Sequence, residues 1–62
     1  MMSKLNDLNE QITKLYVEFS ENHEVFVEKG NKAAGGRARK AIGEVKKLVT
    51  EYRKASVEQS KQ

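Results

Sequence analysis

The stretch VEKGNKAAGGRARKA, residues 27–41, closes one amphipathic pattern and opens another. Gly30 reads as a helix C-cap, because glycine enters the left-handed region at little steric cost. Asn31 reads as the N-cap of a second helix, its side chain able to accept from a free backbone N–H. Upstream, Leu5, Leu8, Ile12, Leu15, Phe19, Asn22 and Phe26 recur in alternating steps of three and four, which puts them on one stripe of a helix over about residues 3–29. Ser3 can cap its start, and Asp7 with Glu10 offers a second capping pair. Downstream, Ala34, Ala38, Ala41, Val45, Leu48, Tyr52 and Ala55 make a second stripe, widened by Ile42 and Val49, on a helix over about residues 32–60. Gly35 and Gly36 cost that helix about 1 kcal/mol each relative to alanine, so a longer loop with the helix starting near Gly36 is the alternative.

A two-residue turn at Gly30-Asn31 makes the helices antiparallel neighbours. Residues whose numbers sum to about 61 then face each other: Leu15 with Val45, Ile12 with Val49, Leu8 with Tyr52, and Phe26 over Gly35. The expected fold is all-α, a coiled-coil-like antiparallel two-helix hairpin forming one domain over residues 1–62. Asn22 puts a polar group on the seam, either to fix register between copies or as a hydrated edge.

A chain of 62 residues buries only roughly 60% of its unfolded surface. With no Cys it has neither disulfides nor thiolate metal sites. A lone hairpin leaves Tyr16, Val25, Ile42 and Val49 flanking its seam, so a homodimer, most simply a four-helix bundle, is expected. No apolar run approaches the roughly 20 residues of a membrane span, and MMSKLNDLNEQ at the N-terminus does not resemble a signal peptide. A cytoplasmic location is expected, with no membrane partner.

The net charge of +3 hides a division. Residues 1–28 carry two lysines against six acids, and residues 29–62 carry ten Lys/Arg against three glutamates. In the second half Lys32, Arg39, Lys46 and Arg53 recur every seven residues, and so do Lys40, Lys47, Lys54 and Lys61. Seven residues are about two helical turns, so the two series run side by side down one face. With Ala38, Val45 and Tyr52 at heptad position a and Ala41, Leu48 and Ala55 at d, these ladders fall at b and c, away from the seam. Glu44, Glu51 and Glu58 fall at g, beside it. A Lys-rich outer face also keeps helical bundles soluble, but a face of one sign suits an extended polyanion, with nucleic acid the first candidate. The segment KGNKAAGGRARK, residues 29–40, adds five cations and no acid around a helix N-terminus, where free N–H groups bind phosphate and Gly35-Gly36 would permit close backbone approach.

From Gly30 onward the chain resembles a known family. The segment GNKAAGGRARKAIGEVKKLVTEYRKASVEQSK, residues 30–61, is similar to the bacterial linker-histone-like proteins that include the chlamydial histone-like protein. The shared elements are Gly30 to Ala34, Arg37 and Arg39, then Leu48 followed by Tyr52-Arg53-Lys54 with Ser56. The first helix matches in pattern and length. The resemblance implies a small nucleoid-associated protein that binds and compacts DNA. Longer relatives continue into a Lys/Ala/Pro-rich tail. The resemblance here is to a short, tail-less member, in which binding would rest on the folded basic face.

Enzymatic parts are missing. His23 has no partner pattern for a metal or a nucleophile, and the acids of the first helix read as a solvated face. No cofactor, metal or small-molecule substrate is expected. The expectation is a histone-like protein that binds DNA phosphates without sequence preference through Lys29, Lys32, Arg37, Arg39, Lys40, Lys46, Lys47, Arg53 and Lys54. The alternatives are a helical oligomerisation or protein-interaction module, and an RNA-binding hairpin.

Overall fold

The computed structural model describes residues 4–61. Helix α1 spans Lys4–Lys29 and helix α2 spans Lys32–Ser60, and the two pack against each other as a hairpin. Gly30 takes φ +64°, the left-handed geometry that glycine allows. Asn31 is extended (φ −77°, ψ 106°), and its side-chain oxygen accepts from the Ala34 N–H at 3.1 Å. The Gly35 N–H donates to the Asn31 carbonyl, also at 3.1 Å. This cap starts α2 at Lys32, so Gly35 and Gly36 lie inside the helix and the longer-loop alternative is excluded. At the other end Asp7 sits in the first turn of α1, where a carboxylate complements the helix dipole. The cap expected of Ser3 lies outside the described residues.

Near the turn the seam joins large residues of α1 to small ones of α2. Ala34, Ala38 and Ala41 are buried with Gly35, and Leu8 is 3% exposed. The Phe26 ring lies on Gly35 so closely that a Cβ there would stand 2.8 Å from Cδ1 and 2.9 Å from Cε1. That contact, between residues whose numbers sum to 61, fixes the expected register. Asn22 confirms it from the polar side, its Oδ1 accepting from Arg37 Nε at 2.8 Å while its Nδ2 donates to the Glu18 carbonyl at 2.8 Å. Asn22 therefore works within one chain. Its amide is satisfied at the exposed edge of its own hairpin's seam, as the hydrated-edge reading expects.

The hairpin measures 49 × 20 × 12 Å, a slab with two broad faces and two narrow edges. In an antiparallel pair, like flanking positions share a side of the seam. On α1, Leu5, Ile12, Phe19 and Phe26 take position a and Leu8, Leu15 and Asn22 take d. One broad face then carries Gln11, Glu18, Val25, Arg37, Glu44, Glu51 and Glu58. The other carries Asn9, Tyr16, His23, Ile42, Val49 and Ser56. The first is polar and contains the Asn22–Arg37 bond. The second carries no acid near the seam and holds an open apolar patch: Tyr16 is 61% exposed, Ile42 44% and Val49 42%. His23 lies on this face stacked on Phe19, with ring centroids 5.9 Å apart at 24°.

Candidate nucleic-acid interface

The outer edge of α2 holds both cation ladders. Lys32, Arg39, Lys46 and Arg53 form one row, and Lys40, Lys47 and Lys54 the other; all seven are exposed. Gly43, Thr50 and Val57 run between the rows. Lys61, the C-cap of α2, extends the second row, and its backbone N–H donates to the Glu58 carbonyl at 3.2 Å. Within Lys32–Ser60 there are eight cations against three glutamates. The 29 residues of α2 make a rod about 43 Å long at 1.5 Å per residue.

These cations are uncompensated. The one ion pair among the described residues is Lys14 Nζ to Glu10 Oε1 at 3.8 Å, and it lies on α1. Glu44, about one turn from Lys40 and from Lys47, pairs with neither. Glu44 stands on the polar broad face with Glu51 and Glu58, along the margin of the row formed by Lys40, Lys47 and Lys54. A row of unneutralised like charges on one rod raises its own electrostatic energy, and an extended polyanion relieves that repulsion.

The tip is positive for an added reason. The first turn of α2 contains no acid and begins with Lys32, so the positive end of the helix dipole is unopposed. Lys29 ends α1 beside it, exposed. Asn31 takes the Ala34 N–H, leaving those of Lys32 and Ala33 without a partner among the described residues. Gly35 does not admit a ligand, because it is buried under Phe26. The close backbone approach expected at Gly35-Gly36 is thereby corrected: the first of the two serves helix packing.

Eight of the nine cations singled out from sequence share the α2 edge or the tip. Arg37 does not. It occupies the heptad position of Glu44, seven residues before it, and its guanidinium is turned to Asn22 on the polar broad face. The seven-residue spacing to Glu44 was the available signal.

A helical hairpin with one edge of unpaired cations has the form of a polyanion-binding architectural protein. The family profile described as "Histone H1-like protein Hc1" matches residues 6–62, and the chain belongs to that family. The match takes in α1 from residue 6 onward as well as the segment that carries the family's motifs. Membership implies a histone-like, DNA-binding protein with a structural role. Neither a search of curated proteins nor a search of solved structures finds a match. No helix among the described residues is long and apolar enough to cross a membrane.

Proposed function

We propose that this protein is a nucleoid-associated, cytoplasmic DNA-binding protein that holds duplex DNA by its phosphates, without sequence preference, and works as a homodimer. The carrying observation is the doubled ladder of exposed cations on α2, none of them ion-paired among the described residues. Seven residues of helix advance about 10.5 Å. Phosphates along one strand advance about 3.4 Å per nucleotide, so each rung meets about every third phosphate. Duplex DNA turns once in about 34 Å, so a straight rod follows one phosphate row for only part of its length. About four contacts per protomer result, from Lys32, Arg39, Lys40, Lys46, Lys47, Arg53 and Lys54, with Lys29 at the tip. No exposed cluster suited to reading base edges accompanies the ladder.

Four phosphate contacts give a slope of log K against log salt near −4. Gel-shift titrations of a random-sequence duplex at several salt concentrations measure it. A flat dependence, or no shift at low salt, would refute the proposal.

The open apolar face supports a second reading, a helical interaction module whose basic edge pairs with acidic protein surfaces. Replacing Lys40, Lys47 and Lys54 with Glu separates the two. Loss of DNA binding with unchanged oligomer mass supports the first, and the reverse supports the second. Competition between duplex DNA and structured RNA decides the preferred polyanion.

A further inference from the structure

The open broad face has a composition that says what covers it. On α1 the positions turned to this face are Asn6, Asn9, Thr13, Tyr16, Ser20, His23 and Val27. None is acidic, and none is Lys or Arg. On α2 the same face presents Ile42 and Val49 near the seam, with the row Lys32, Arg39, Lys46 and Arg53 at its rim. From the basic rim to the opposite edge, the face grades from charged through apolar to uncharged polar.

We propose that a second copy covers this face with its two-fold axis parallel to the helices, so that α1 of each copy stacks on α2 of the other and the dimer bridges two DNA duplexes. The proposal rests on the DNA-binding role argued above. The slab offers a face of 49 × 20 Å, enough for the about 800 Å² per partner of a standard stable interface. Two isologous arrangements can bury it. A two-fold axis across the helices lays α2 on α2, which brings two rows of Lys and Arg together at one rim and opposes like charges. An axis along the helices lays the basic rim of each copy on the uncharged rim of the other. Glu10 and Glu24, at the adjoining outer positions of α1, come beside the partner's cations.

Steric fit favours the same axis. Residues opposite one another have numbers summing to about 61, so Tyr16 stands level with Val45, between Ile42 and Val49. A two-fold along the helices preserves levels. Tyr16 of each copy then enters the gap between Ile42 and Val49 of the other, twice by symmetry. The two α2 helices end on a diagonal of the bundle with their basic edges pointing in opposite directions. One duplex cannot span both edges, so each edge takes its own.

Because the chain has no cysteine, single substitutions report the geometry. Thr13→Cys and Lys46→Cys stand at about the same level on opposing rims. Mixed together they should cross-link to each other, and neither should link to itself. Lys46→Cys linking to itself would overturn the arrangement, as would a wild-type mass in solution equal to one chain. For function, wild-type protein on bead-tethered DNA should capture a second, labelled duplex. Tyr16→Asp, and independently Val49→Asp, should be monomeric, retain helical circular dichroism and the single-duplex gel shift, and lose capture at least tenfold. Capture undiminished in both monomeric variants would overturn the bridge. If wild-type protein fails to shift a single duplex at low salt, the DNA role itself falls, and mass and cross-links alone then judge the dimer.

Discussion

Gly35 and Gly43 show how one residue type serves opposite ends within a single helix. Both lie in α2, where glycine is about 1 kcal/mol worse than alanine. At Gly43 an added Cβ meets nothing within 4 Å, so Gly43→Ala should stabilise the hairpin by about 0.5–1 kcal/mol. That corresponds to a rise in Tm of roughly 4–8 °C per kcal/mol for a domain of this size. At Gly35 the Cβ would press into the Phe26 ring at 2.8 Å. Gly35→Ala should therefore forfeit the propensity gain, and Gly35→Leu should cost about 1–3 kcal/mol through overpacking. Thermal unfolding of the three variants under one set of conditions checks the ordering. Gly35 was legible from sequence through its pairing number with Phe26. The partnership of Asn22 with Arg37 was not, because heptad position assigns a side chain to a face and does not say which neighbour on that face takes its hydrogen bond.

At the scale of the element, α2 does two jobs on two sides of one rod. Near the turn its inner stripe is small (Ala34, Gly35, Ala38, Ala41), which draws α1 close, while its outer edge collects charge. Arg37 and Lys47 make the contrast measurable. Lys47 is exposed on the ladder, so Lys47→Ala should weaken binding uniformly across sequences and reduce the salt slope by about 1. Arg37 is held by Asn22 at 2.8 Å, so Arg37→Ala should leave the slope unchanged. It should instead lower stability by about 0.5–1.5 kcal/mol, the net worth of an ordinary hydrogen bond. Salt-dependent gel shifts and denaturant melts read the two effects separately. The helices and their turn were legible because the stripes and the Gly30-Asn31 caps agree with each other. No ion pair joins Glu44 to Lys40 or Lys47, although each lies about one helical turn away, because adjacency on a solvated helix surface holds such pairs only weakly.

For the whole molecule, the core is thin and the stability correspondingly modest. Leu8 is the one large side chain among the described residues that is buried outright, and Leu8→Ala should cost about 2–4 kcal/mol, enough to unfold much of so small a domain at 37 °C. A polyanion that binds only the folded state should reverse this. Duplex DNA at about 100 times Kd adds about 2.7 kcal/mol, so the melting temperature of wild-type protein should rise by more than 10 °C. Failure of DNA to shift the melt would mean that the ladder binds the unfolded chain equally well. The slab shape and its unequal broad faces were implicit in the two heptads, and they emerged once the pairing register placed like positions on the same side.

The two-residue turn also sets the order in which the chain assembles. Every contact across the seam encloses a loop whose length grows with distance from Gly30-Asn31. Loop-closure entropy rises with that length, so contacts nearest the turn close first and those between the beginning of α1 and the end of α2 close last. Amide hydrogen exchange should show protection declining steadily from Phe26 and Ala38 toward Leu5 and Ala55. Folding should be fast, because nearly every early step is local. The end that zips first is also the end with the unopposed helix dipole, so a nascent hairpin presents a cationic tip before the rest of its ladder has formed.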